Sequence, residues 1–395
     1  MKLVFTFEHR FSVTPDGKIW TPAAYGESFW RRYLEVFDQV QVVARVGEVM
    51  EVPSNYERAD SEYVTFNLLP CYIGPAQFLQ NIRKIRKRIR VSYTDEASFI
   101  VRPGVLGTLM IRELRRKDHP YGVETINDPR DAFAPGVIIH PFRPFFRWWF
   151  SRNLVNQCAE ADATLYVTEN ALQRRYPCPG FSIGVSDVSL TEDAIVDVPR
   201  RYPRSEGMLT IVYVGTLAQL YKAPHILIDA AASCVREGLN LQLRMVGDGK
   251  YRGELERKAK DLGLADRIIF LGQLKAGAQV REQLDNADLF VLPSYTEGMP
   301  RAMLEAMARG LPCIGSTVGG VPELLPAEDM VSPGNAQELA RKIQDVLGDP
   351  NRLSRMSERN LEKVHAYSDQ ILHDRRLAFI QYMHDVTESW LSGEH

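Results

Sequence analysis

Apolar residues in the second half of the chain fall into short β-type runs separated by stretches of helical period. Residues 210–214, 241–246, 267–271, 288–292 and 312–315 read as strands. Between them, 226–235, 254–261, 280–284 and 300–309 place apolar side chains at helix spacing. Short apolar strands alternating with helices of roughly ten residues specify a parallel sheet covered on both faces. The first half repeats the scheme less cleanly, with candidate strands at 3–7, 40–44, 64–69, 99–101, 123–126 and 164–167 and helices at 27–37 and 78–89. The pattern predicts an α/β chain with two parallel-sheet domains. The polar, proline-bearing stretch 191–207 is the expected boundary, giving a first domain over 1–195 and a second over 205–367. After Gly348-Asp349-Pro350 the chain reads as purely helical, and its last segment, 368–395, is expected to cross back to the first domain.

Composition narrows the class. The chain has 395 residues, a length suited to two domains, with 45% apolar and 25% charged residues, which excludes disorder. No window approaches the ~18–20 uninterrupted apolar residues that a bilayer span needs. The start, Met1 to Arg10, reaches charge too soon for a signal peptide and reads as a first strand, so a cytosolic protein is expected. A net charge of −2 argues against a general nucleic-acid binder. Cys71, Cys158, Cys178, Cys234 and Cys313 are scattered, which points to buried reduced thiols, not a disulfide framework or zinc site. No D-x-D pair follows a strand to hold a divalent cation.

The most informative stretch runs from Pro293 to Ala308, where a strand ends and a helix begins. The first helical N–H groups there lack internal partners and favour an anion. Gly298 allows close approach to the backbone, and Pro300 suits the first helical position. Glu297 and Glu305 would repel a phosphate, but vicinal hydroxyls can donate two hydrogen bonds to one carboxylate. A diphosphate flanked by two polyols describes a nucleotide sugar. The same residues also fit a plainer reading, with Glu297 complementing the helix dipole and Glu305 solvated.

The wider pattern bears on that choice. Residues 297–312, EGMPRAMLEAMARGLP, followed by Gly319-Gly320-Val321-Pro322-Glu323-Leu324-Leu325, closely resemble the E-x7-E signature of glycosyltransferase family 4. The resemblance covers about residues 205–370 well and the first half in outline. It implies a retaining enzyme with two Rossmann-like, doubly wound domains facing across a cleft, the GT-B architecture. It also implies that Glu297 contacts hydroxyls of the donor sugar, that Glu305 holds the ribose, and that the backbone of Gly298, Met299 and Arg301 lines the diphosphate site. Lys222 matches the lysine that neutralises the leaving diphosphate, whereas Thr216 stands where arginine is usual. Arg301 or an arginine of the first domain would then supply the second charge. Glu297 and Lys222 are thus the candidate catalytic pair. Gly247-Asp248-Gly249-Lys250-Tyr251-Arg252-Gly253 has the irregular spacing G-x-G-x-x-x-G after the second strand of its domain. It is read as backbone near the nucleotide, with Gly247 closest, and an NAD fingerprint is the competing reading. Gly272 and Leu274 would border the base, and UDP- and GDP-linked donors fit equally.

In the first half, the resemblance places glycines after the first strand and a histidine near the donor sugar. Gly17 and Gly26 are the glycines available, and Asn127 or Asp128 falls where the histidine is expected. His119 and His140 are out of register and read as surface or capping residues. His9 and Arg10, at the expected end of the first strand, are acceptor-site candidates. Residues 78–90 place Phe78, Ile82, Ile85 and Ile89 on one helical face among six basic residues, including Arg83, Lys84, Arg86 and Lys87. Residues 77–117 hold eleven Lys and Arg against three Asp and Glu, a net +8. Residues 142–152 combine six aromatics, Trp148 and Trp149 among them, with three arginines. Such segments suit an anionic membrane surface. A basic helix lying on the sheet beside an aromatic core helix is the alternative, and RNA binding is disfavoured because no RNA-binding pattern accompanies them. The expected function is transfer of a sugar from a nucleotide-diphosphate donor to a hydroxyl of a carbohydrate or lipid-linked acceptor. It needs no metal or other cofactor and takes place in the cytoplasm or on the inner face of the membrane. A sugar-nucleotide epimerase and a non-catalytic nucleotide-sugar-binding protein remain as alternatives.

Overall fold

The computed structural model describes residues 1–22, 25–134, 140–188, 190–203 and 207–393. Arg204 and Ser205 of the expected boundary, and His395 of the expected last segment, lie outside the described residues. The chain forms two compact units. Unit 1 comprises Met1–Ile126, Trp149–Val185 and His373–His395, and unit 2 comprises Asn127–Trp148 and Ser186–Leu372.

Unit 1 is built on nine strands: β1 (Lys2–Val13), β2 (Ile19–Thr21), β3 (Gln39–Glu48), β4 (Glu57–Arg58), β5 (Val64–Pro70), β6 (Ala97–Val101), β7 (Gly122–Thr125), β8 (Ala163–Tyr166) and β9 (Phe181–Gly184). The parallel strands run β5-β3-β1-β6-β7-β8-β9, and β2 and β4 add antiparallel pairs beside the distal part of β1. Leu3 to Phe7 and every residue of β6, β7 and β8 are buried, the continuous burial expected of parallel strands covered on both faces. A polar cluster is built into this core. Arg102 Nε lies 3.1 Å from Glu124 Oε2, and Tyr33 OH donates to Glu124 Oε1 at 2.6 Å. The Arg102 guanidinium is within 5.5 Å of the ring centroids of Phe5, Phe7, Tyr25 and Phe29. From His373 onward the last helix, Asp369–Ser392, belongs to unit 1. It buries Phe379, Ile380 and Met383, and Arg375 pairs with Glu169 at 2.9 Å.

Unit 2 holds β10 (Leu209–Val214), β11 (Leu241–Val246), β12 (Ile268–Gly272), β13 (Leu289–Leu292), β14 (Cys313–Ser316) and β15 (Met330–Val331), all parallel, in the order β12-β11-β10-β13-β14-β15. The order reverses between β10 and β13, so the loops leaving their carboxyl ends diverge to opposite sides and open a crevice. The helices Ala336–Leu347 and Pro350–Val364 are capped by side chains just ahead of them. Asn335 accepts from Glu338 N, and Asp349 accepts from Asn351 N and Arg352 N just before Pro350.

The structure departs from the sequence reading in several places. Strands β2, β4, β9 and β15 have two to four residues each and carry no usable periodicity. β1 does not stop at Phe7. Its register shifts between Thr6 and Arg10, and the bulge carries it on to Val13 with a broken apolar alternation. The chain passes into unit 2 at Ser186, ahead of the polar stretch read as a linker. Within that stretch Arg200 docks on helix ends, donating to the carbonyls of Leu284, Ala287 and Arg309 at 2.7–2.9 Å. Cys71 is exposed and Cys178 half-buried, although all five thiols are free. His119 is buried, bonded to the carbonyls of Pro120 and Asp95 and packed on Trp390, whereas His140 accepts from Phe142 N as a cap.

Removing Glu124 would leave the Arg102 cation buried without its counter-ion. Glu124→Ala is expected to destabilise unit 1 by about 3–5 kcal/mol, measured by urea unfolding followed through unit 1 tryptophan fluorescence.

Candidate active site

The switch point of the second sheet brings together two loops that lie far apart in sequence. One leaves β10 and carries Gly215 to Lys222; the other leaves β13 and carries Pro293 to Pro300. Tyr295 N donates to Tyr221 O at 2.7 Å, tying one loop to the other. The side chains then meet: Lys222 Nζ lies 2.9 Å from Glu297 Oε1, with side-chain exposures of 14% and 7%. Ser294, fully buried, donates to the same oxygen at 2.6 Å. Tyr213 adds a phenol in β10 that has no hydrogen-bond partner among the described residues. Burial, and then the charge of Glu297, push its pKa well above the usual tyrosine value, so it stays an O–H donor.

Glycines set the height of these loops. A Cβ on Gly319, at φ +52°, would sit 1.7 Å from Glu297 O, and Gly320 N donates to Gly298 O at 2.8 Å. The loop after β14 therefore lies directly on the backbone of 297–298. A Cβ on Gly247 would meet Gly215 O at 1.9 Å, and one on Gly249 would meet Ala218 N at 2.0 Å. The irregular G-x-G stretch thus serves to pack the β10 and β11 loops backbone to backbone. Gly247 N also donates to Gly272 O, which brings the β12 loop into the same stack.

The helix after Glu297 runs Arg301–Ala308, with Pro300 at its N-cap, one position earlier than expected. No hydrogen bond reaches Arg301 N or Ala302 N among the described residues, so two N–H groups face out of the helix start. The equivalent helix of unit 1, Val105–Arg115, differs. Glu8 reaches over from β1 and its Oε1 accepts from Leu106 N at 2.7 Å, filling that helix start with the protein's own carboxylate. Arg301 is exposed, Met299 is buried against Gly320, and Glu305 is half-buried. Burial raises the Glu305 pKa, with Arg301 and Arg281 opposing. Thr216 accepts from Ala218 N, and Leu274 is half-buried beside Gly272.

The remaining sequence candidates have other surroundings. Gly17, at φ +80°, is the exposed turn of the β1–β2 hairpin, fixed by Thr14 and Asp16, with nothing near its Cβ position. It does lie in the loop after the first strand, but at the tip of a hairpin, because β1 continues past Phe7 to Val13. His9 accepts from or donates to Thr21 Oγ1 at 2.9 Å, and burial, then Arg45 and Arg10, lower its pKa to about 4. Arg10 is exposed on β1. Asp128 caps the short helix Pro129–Ala132 through Arg130 N, and Asn127 beside it is exposed. Arg83, Lys84, Arg86 and Lys87 are all exposed on the helix Gly74–Ser92, whose Ile85 and Ile89 are buried. On the helix Arg143–Ala159, Trp148 is 59% exposed, and Trp149 is half-buried against Phe150. Sequence reasoning gave no individual role to Ser294, Tyr213 or Gly319, although Gly319 belongs to the motif that carries the resemblance. The usable signal for Ser294 was a polar residue directly continuing a wholly buried strand.

Two parallel-sheet α/β units are the mark of the GT-B class of fold, and known proteins agree. Residues 197–363 match the family model described as glycosyl transferases group 1. Protein CapJ of Staphylococcus aureus is 26% identical, the match covering 99% of this chain and 98% of that protein. Lipopolysaccharide 1,6-galactosyltransferase of Salmonella typhimurium is 31% identical over 47% of this chain and 50% of its own length. Among solved structures, sucrose-phosphate synthase from Thermosynechococcus elongatus has a TM-score of 0.64 at 18% identity and covers 99% of both chains. Anabaena HepE in complex with UDP-glucose has a TM-score of 0.61 at 17% identity, covering 98% of this chain and 100% of that one. These likenesses support a glycosyltransferase of GT-B fold.

Gly319→Ala is expected to displace the 297–299 backbone, costing about 1–3 kcal/mol and lowering sugar transfer at least about tenfold. Gly17→Ala, strained but open, should cost only about 1–2 kcal/mol and leave transfer unchanged. Thermal unfolding and a turnover assay on both variants check this.

Proposed function

We propose that the chain is a metal-independent, retaining glycosyltransferase of family 4, working in polysaccharide or glycan assembly on a carbohydrate or lipid-linked hydroxyl acceptor. The observation that carries the reading is the Lys222–Glu297 pair beside the open N–H groups of Arg301 and Ala302. A nucleotide diphosphate sugar satisfies both halves. Its diphosphate takes the lysine and the helix start, and its sugar hydroxyls take the carboxylate that the lysine gives up. The bond from the anomeric carbon to the phosphate oxygen breaks with its electron pair on the phosphate, where Lys222 and the helix start stabilise the charge. The acceptor oxygen attacks from the same face and passes its proton to the departing phosphate. Glu305 holds the ribose. The second cation usual at Thr216 comes from Arg301. The UDP-glucose complex of HepE favours a UDP-linked donor, and the name of the Salmonella relative favours a cell-surface glycan as product.

The same reading places the enzyme in the cytoplasm, in contact with the inner face of the membrane. No helix among the described residues is long and apolar enough to cross a bilayer. The six basic residues of Gly74–Ser92 and the exposed Leu79, together with exposed Phe142, Phe145 and Trp148, suit peripheral contact with anionic lipid.

Lys222→Ala and Glu297→Ala should each lower transfer by about 10²–10³-fold in a protein that still folds, with a melting temperature reduced by the loss of the buried pair, while EDTA leaves the wild-type rate unchanged. Full activity in either variant would sink the assignment. Because burial raises the Glu305 pKa above the ordinary 4.5, its carboxylate protonates, and KM for the donor rises, at a higher pH than for an ordinary glutamate. Glu305→Gln should remove that acid limb. Neutralising Arg83, Lys84, Arg86 and Lys87 should weaken co-sedimentation with phosphatidylserine vesicles by about 10²-fold or more, at ~1 kcal/mol per charge.

A further inference from the structure

We infer that Ser294 is a positioning residue for the Glu297 carboxylate, holding it in place for the donor sugar once Lys222 has moved to the diphosphate. The inference rests on the reading of Glu297 as a contact of the donor sugar.

Glu297 Oε1 accepts two hydrogen bonds, from Lys222 Nζ at 2.9 Å and from Ser294 Oγ at 2.6 Å. No hydrogen bond reaches Oε2 among the described residues, so this oxygen keeps its acceptor capacity for a ligand. The backbone on either side of Glu297 is held already: Tyr295 N by Tyr221 O, and Gly298 O by Gly320 N. What remains free is rotation about the side-chain torsions, and only two donors restrain it. Lys222 is a mobile restraint, because a long flexible ammonium follows whichever anion is stronger. A diphosphate arriving at the helix start competes for it directly. Ser294 is a fixed restraint, since it belongs to the same loop three residues earlier and is 0% exposed.

A hydrogen bond to a charged group at such a site, once lost, corresponds to about a 10- to 100-fold effect. Its loss should fall on steps that need the sugar oriented, and not on recognition of the nucleotide. Ser294→Ala is therefore expected to lower kcat about 10- to 100-fold while the Kd of the free nucleoside diphosphate stays within about twofold of wild type. Ser294→Thr, which keeps the hydroxyl, should recover most of the loss.

The experiment compares wild type, Ser294→Ala, Ser294→Thr and Glu297→Gln. A panel of UDP- and GDP-hexoses identifies the donor by turnover, and calorimetry follows the matching UDP or GDP. Thermal unfolding confirms that each variant is folded. Loss of kcat with unchanged nucleoside diphosphate affinity and rescue by threonine supports the positioning role. Full turnover in Ser294→Ala beside an inactive Glu297→Gln overturns the role of Ser294 and leaves that of Glu297 standing. Equal weakening of nucleotide and nucleotide-sugar binding in Ser294→Ala, or a collapsed melting temperature in both serine variants, makes the residue structural and overturns the inference. Full turnover in Glu297→Gln, or no turnover by wild type with any donor, overturns the reading beneath it.

Discussion

The hydrogen bond from Tyr295 N to Tyr221 O crosses the place where the strand order of the second sheet reverses, and the geometry of the site follows from it. Loops leaving β10 and β13 would otherwise diverge, since their helices pack on opposite faces. One backbone bond fixes their separation at the length that lets a lysine from one reach a glutamate from the other. The burial of both side chains then makes the pair depend on that separation. A poorly paired charge at 7% exposure is costly, so the loops are held closed by the electrostatics as well as by the backbone.

Glycines do the complementary work of letting backbones touch. Gly247, Gly249 and Gly319 each sit where a single methyl group would overlap a neighbouring loop. The result is a layered stack in which the loops after β10, β11, β12, β13 and β14 rest on one another with few side chains between them. Backbone contacts of this kind move little, which is what a site needs when it must hold polyol hydroxyls to within a few tenths of an ångström.

Much of the second unit was legible in the sequence because its strands are short, apolar and buried on both faces, so pattern and structure carry the same information. The first unit was harder for a local reason. In β1, residues Glu8, His9 and Arg10 interrupt the apolar run at a bulge, so the strand seemed to end there, and the hairpin that carries Gly17 at its turn was not foreseen. The meeting of Lys222 with Glu297 could not be read from spacing, because the two lie 75 positions apart. The resemblance gave both residues roles in one site but did not imply that they touch each other. Ser294 and Gly319 were in plain view, but their importance lies in what they touch. Burial of a lone hydroxyl and a would-be overlap with a carbonyl have no signature in composition or period.

The interleaving of the two units carries a different consequence. The chain changes unit after Ile126, Trp148, Val185 and Leu372, and one continuous helix, Asp369–Ser392, spans the last change. Neither unit is a contiguous stretch of sequence. A gene-level exchange with a relative that joined two halves near residue 200 would therefore leave unit 1 without the helix that buries Phe379, Ile380 and Met383. The two units of such a chain can recombine intact only where the closing helix travels with the amino-terminal segments. Inheritance of the last two dozen residues is thus tied to that of the first.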